Sequence, residues 1–135
     1  MTGTVTAGLE AALKLSLRGP SGTVVEVDAI IDSGYTGSLT LPDVIATALG
    51  LTRRTGGRAV LADGSALLFD SYSVEVWWHR SWRKVAASAF GTEILVGMRL
   101  LEGSEVRIAV VASGAVEIVP LGAPTAPHDN AVQPQ

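Results

Sequence analysis

One acid stands apart in this sequence. Asp32 follows the apolar run Ala29-Ile30-Ile31 and opens a small-residue corner, Ser33-Gly34, before the chain resumes through Tyr35, Thr36 and Gly37 to Ser38-Leu39-Thr40-Leu41-Pro42. A lone carboxylate is a poor general base toward water. Two carboxylates close enough to share one proton form an acid–base pair, because like charges about 3 Å apart cannot both ionise and their pKa values split. The ionised member then takes a proton from a water between them while the protonated member polarises a carbonyl, which permits peptide hydrolysis without a covalent intermediate. The flanking residues fit that chemistry. The Ser33 hydroxyl can donate across to a partner loop and hold the corner rigid, and Gly34 lets backbone and ligand approach closely.

The chain carries one such corner. The nearest echo, Ala112-Ser113-Gly114 after Ile108-Ala109-Val110-Val111, has alanine where the acid would stand. A two-fold homodimer removes the shortage, since an isologous interface brings the same Asp32 from each subunit to the symmetry axis. On this reading the partner is a second copy of the chain, and the substrate is a peptide or protein.

Other chemistries are poorly supplied. With no cysteine, disulfides, thiolate metal sites and cysteine nucleophiles are excluded. The two histidines, His79 and His128, are too few and too scattered for a histidine metal site or a Ser-His-Asp triad. No metal and no cofactor are expected. A net charge of −3 and a pI near 5.3 give no general attraction to nucleic acid or anionic membrane. The N-terminal residues lack a signal-peptide pattern and no apolar run reaches the length of a membrane span, so a soluble, cytoplasmic protein is the expectation.

The corner must be held by strands. With 135 residues, 47% hydrophobic, the chain suits one domain with a real core. Leu13, Leu15 and Leu17 alternate with Lys14, Ser16 and Arg18, and the turn Gly19-Pro20-Ser21-Gly22 leads into the β-branched stretch 23–31, which predicts a hairpin. That second strand should turn inward at Ile30-Ile31. Ser38–Leu41 reads as a short strand, and Pro42 opens a helix closed by Gly50, with Val44, Ile45, Ala48 and Leu49 on one face. Arg53–Arg58 reads as a polar connection; its glycine spacing fits no nucleotide-binding loop. Asp63-Gly64 between apolar runs predicts a projecting hairpin with a type I′ turn. A strand through Tyr72, Val74, Val76 and Trp78 ends at the cationic turn His79–Lys84, and 85–90 returns. Ile94-Leu95-Val96-Gly97 reads as a strand and glycine before one or two helical turns closed by Gly103. A last hairpin joins 106–111 to 115–120, and the Pro-rich stretch 122–135 has the composition of a disordered tail.

Taken together, Ala-Ile-Ile-Asp-Ser-Gly-Tyr-Thr-Gly, the later Ile94-Leu95-Val96-Gly97 and the Asp63-Gly64 hairpin resemble the retropepsin-like (clan AA) aspartic proteases, of the small bacterial rather than the viral type. The resemblance spans roughly residues 9–121. It implies a mainly β fold, a small closed β-barrel with one or two short helices, and an obligate homodimer with a cleft across its interface. It also implies Asp32, Ser33 and Gly34 as the catalytic loop, with Ala62, Asp63, Gly64 and Ser65 as a flap over the substrate and Tyr35 and Thr36 beside it. Viral members carry an acid soon after the catalytic loop and an arginine directly after the later glycine; Gly37 or Ser38 and Met98 stand in those places here.

Three competing readings accompany this one. Asp-Ser/Thr-Gly arises by chance in roughly one chain of this length in fifteen, and the corner alone is compatible with an Asx-type turn between strands. A retropepsin-like module without useful catalysis would bind peptides or dimerise. Trp77, Trp78 and Trp82, interleaved with Arg80 and Arg83, are also the residue types that bind single-stranded nucleic acid, although the acidic balance opposes that.

Overall fold

The computed structural model of the chain describes residues 1–60 and 62–122, with backbone alone for 54–60 and 66–69. Of the expected tail only Gly122 lies among them. The elements in chain order are β1 (Thr2–Val5), β2 (Ala11–Arg18), β3 (Val24–Ile31), β4 (Leu39–Thr40), α1 (Asp43–Ala48), β5 (Arg53–Val60), β6 (Ala66–Trp78), β7 (Ser81–Ser88), β8 (Leu95–Val96), α2 (Met98–Leu101), β9 (Ser104–Ile108) and β10 (Ala115–Pro120).

Six of these strands close a barrel. β2 pairs antiparallel with β3, β3 runs parallel to β8, and β8 lies against β4. β4 runs parallel to β7, β7 pairs with β6, and β6 returns to β2 through Leu17↔Val76 and Arg18↔Glu75. Outside the ring, β1 joins β2 to β10, and β10 carries β9 at the edge of the sheet. The mainly β class, the closed barrel and the short helices are thus as expected.

The period of two explains the core. In β2 the residues Leu13, Leu15 and Leu17 are buried, and in β6 Tyr72, Val74, Val76 and Trp78 are buried, so each strand sends alternate side chains inward. Leu39, Leu41, Leu49, Val96 and Leu100 belong to the same cluster. Among the described residues no helix is long and apolar enough to cross a membrane.

Several local expectations are corrected. β1 has no counterpart in the sequence reading, because four residues of Thr-Gly-Thr-Val carry no periodic signal; it is fixed by pairing on both sides. Residues 53–58 are not a loop but part of β5, bulged between Arg54 and Gly57. The helix α1 turns Ile45, Ala46 and Leu49 inward and leaves Val44 and Ala48 exposed. At the 63–64 hairpin the last pair is Val60↔Ala66, so a two-residue type I′ turn does not occur there. That geometry appears instead at His79-Arg80, both with positive φ, between Trp78 and Ser81. Arg83 and Lys84 therefore stand on β7 rather than in a turn.

Candidate active site

Asp32 leaves the end of β3 between two backbone anchors. Its N–H donates to the Val96 carbonyl at 2.9 Å, and its own carbonyl accepts from Tyr35 N–H at 3.1 Å, closing a turn over Ser33 and Gly34. Its Oδ1 accepts from Gly34 N–H at 2.9 Å. The Asx-type turn is therefore present, and it orients the carboxylate at the surface of the corner. Asp32 is half-buried, while Ser33, Gly34 and Thr36 are exposed. No hydrogen bond from the Ser33 hydroxyl is formed among the described residues, which leaves it available outward.

The corner is clamped from the other side by the Gly97 segment. Gly97 N–H donates to Ser38 O at 3.0 Å, Met98 N–H to Tyr35 O at 2.8 Å, and Arg99 N–H to Gly37 O at 3.1 Å. A Cβ on Gly97 would lie 2.1 Å from Gly37 O and 2.5 Å from Tyr35 Cδ2. Glycine is required there by close approach of two segments of the chain, which is the physical content of the strand–glycine–helix motif.

Tyr35 and the hairpin tip take positions of their own. The Tyr35 ring lies against Gly97 and Gly37 and its hydroxyl donates to Leu39 O at 3.3 Å, so the ring braces the corner. Ala62, Asp63, Gly64 and Ser65 are exposed. Asp63 Oδ1 accepts from both Ser65 N–H and Ser65 Oγ–H, and these bonds, the hydroxyl's first, hold its carboxyl below the usual aspartate range. Gly64, at φ +87°, provides the reversal. Neither Tyr35 nor these tip residues line the spaces beside Asp32.

Two grooves flank the corner, each of about 420 Å³. The first is walled by Leu9, Ile30, Leu95, Ile108 and Val110, with Asp32, Glu10 and Glu93 in its lining. The second is walled by Ile31, Met98, Leu101, Val106 and Ile108, with Ser33 in its lining. Ile30 and Ile31 are accordingly half-buried groove residues, and the inward turn expected of them stops there. Leu9, Met98, Ile108 and Val110 are 59%, 47%, 38% and 64% exposed. Leu9 also has φ +63°, a costly conformation for leucine.

Leu9, Leu101, Val106, Ile108 and Val110 were not assigned to a site from the sequence, since they come from separate segments joined only by tertiary pairing. Thr40 belongs with them. Buried at 2% exposure, its Oγ1–H donates to Glu93 O at 2.7 Å and its Oγ1 accepts from Leu95 N–H at 2.8 Å, fixing the groove wall. No cluster of metal-binding side chains is present among the described residues.

The three tryptophans of the cationic turn and its flanking strands differ in burial, and Arg80 and Arg83 beside them are exposed. Trp78 is buried, Trp77 meets Trp82 edge-on at 5.3 Å, and Arg18, bonded to Glu75, lies 4.3 Å over the Trp82 ring.

Protein-family models, curated proteins and solved structures yield no match to this chain.

Proposed function

We propose that the protein is an aspartic endopeptidase of the retropepsin-like type, working as a homodimer in which Asp32 from each subunit activates one water. The observation that carries this reading is the setting of Asp32. A half-exposed carboxylate, oriented by its own turn and clamped by the Gly97 ladder, stands between two apolar grooves. The exposed Leu9, Met98, Ile108 and Val110 around it form an apolar border of the kind that a second copy covers. In this reading the Ser33 hydroxyl braces the opposite loop, and the hairpin tip at 62–65 supplies the cover over an extended peptide. No nucleic acid or membrane partner is part of this reading.

The test is hydrolysis of a broad peptide library by the wild type and by Asp32→Asn. Wild-type cleavage, abolished in a variant that keeps its thermal stability and oligomeric mass, is the expected result. Cleavage undiminished in Asp32→Asn refutes the assignment. Peptide binding without cleavage by the wild type would point instead to a module that has kept the fold and lost catalysis.

A further inference from the structure

β9 is the last strand of the sheet, with β10 on one side and no strand on the other among the described residues. Two bonds to β10 fix which way its backbone groups point. Ala109 N–H donates to Ala115 O at 2.9 Å, and Leu121 N–H donates to Gly103 O at 2.8 Å. The alternation of an antiparallel ladder then directs the backbone groups of Glu105 and Arg107 at β10 and those of Ser104, Val106 and Ile108 at the open edge. Pro120, which has no N–H, stands opposite Ser104 and agrees with that phase. An edge of this kind templates a further strand. On one face of it Ser104, Val106 and Ile108 line the second groove together with Ser33, and Glu105 and Arg107 alternate with them as exposed charges.

Resting on the two-subunit reading above, we propose that the second copy docks by this edge, β9 against β9 in antiparallel register about a two-fold axis at Val106. Charge selects both the occupant and the register. Centred on Val106, the pairing sets Glu105 opposite Arg107 of the partner subunit, and by symmetry Arg107 opposite Glu105 of the partner subunit. A shift of two residues keeps the outward groups facing each other but sets Glu105 opposite Glu105 of the partner subunit, or Arg107 opposite Arg107 of the partner subunit. Like charges directly opposite are destabilising. A shift of one residue turns the backbone groups out of phase. The strand Ser-Glu-Val-Arg-Ile is therefore complementary to itself in one symmetric register. In that register Val106 meets Val106 of the partner subunit and Ser104 meets Ile108 of the partner subunit, each pair exchanging both N–H···O bonds. The axis is perpendicular to the joined sheet, so the second grooves of the two copies, each with Ser33 in its lining, fall on one face beside it.

The experiment is charge reversal followed by sedimentation equilibrium. Glu105→Arg and Arg107→Glu should each weaken self-association by about thirtyfold at low salt, because two opposite-charge contacts become two like-charge ones, and high salt should narrow the difference. An equimolar mixture of the two variants should associate as the wild type does, since one chain then offers two cations and the other two carboxylates at facing positions. A folding defect in either variant cannot produce that rescue. Register is read separately by oxidising cysteine variants of a chain that has no cysteine of its own. Glu105→Cys mixed with Arg107→Cys should form a disulfide-linked heterodimer, because opposite residues of a non-hydrogen-bonded pair have Cα atoms about 4.5 Å apart. Either variant linking to itself instead overturns the register. A wild type that cleaves peptides and dimerises with an affinity untouched by both reversals overturns the edge pairing and leaves the peptidase standing. A dimer that obeys the reversals and cleaves no peptide supports the pairing and sinks the peptidase reading. A wild type that stays monomeric overturns both.

Discussion

Replacing Gly97 with alanine tests the clamp on the Asp32 corner. The added Cβ would lie 2.1 Å from Gly37 O, 2.5 Å from Tyr35 Cδ2 and 2.8 Å from Tyr35 O. Two of those three atoms are backbone oxygens held by α2 and its approach, so no rotamer change relieves the contact. Separation of the two segments breaks the bonds from Gly97, Met98 and Arg99 to Ser38, Tyr35 and Gly37. At about 1 kcal/mol each, with about 1–2 kcal/mol of residual crowding, the cost is about 4–5 kcal/mol. For a domain of this size that lowers the melting temperature by about 10–20 °C. Gly34→Ala is the matched control, since its Cβ would meet only Asp32 Oδ1, at 3.3 Å. It should cost under about 1 kcal/mol in stability yet reduce peptidase activity, because the crowding falls on the carboxylate itself. Thermal melting and denaturant titration of both proteins decide the matter. A Gly97→Ala melting point within about 2 °C of wild type refutes the close approach.

Thr40→Val keeps the side-chain shape and removes both bonds to the groove wall, leaving Glu93 O and Leu95 N–H without their partner. A loss of about 2–4 kcal/mol in denaturant titration is expected, with altered amide exchange at Leu95. The His79 imidazole is pushed below its ordinary range by burial, then by the N-terminal ammonium and by Arg83. The unfolded chain therefore binds a proton more readily than the fold, so stability should decline as pH falls through about 6.5 toward the lowered folded value. His79→Asn, suited to the positive φ at that position, should flatten this decline in melting curves taken across the window. A slope identical in the two proteins counts against the assignment.

What the sequence revealed was local. The alternation of β2 and β6, the corner at Asp32, the glycine at 97 and the final hairpin follow from periods and turn residues within a few positions. What it hid depends on distant pairing. Strands of two residues, β4 and β8, have no periodicity to read, yet they close the barrel and carry Thr40 and Leu95 to the groove. Glu10, Glu93 and Val110 lie in three segments that meet only through the pairing of β1, β3, β8 and β10. Arg53–Arg58 misled because charge and glycine outweighed its strand partner β6. The face of α1 was misassigned because a six-residue helix is set by its anchors Leu41 and Leu49 more than by its own moment.

The central claim, one site built from two copies of Asp32, is tested most directly by subunit mixing. Wild-type protein is combined with rising amounts of Asp32→Asn under conditions that allow subunits to exchange, and peptidase activity is measured per wild-type chain. If each site needs Asp32 from both subunits, random pairing lowers that activity to roughly half at equal amounts and to about a tenth at ninefold excess. Activity per wild-type chain that stays constant as the variant is added contradicts the shared site.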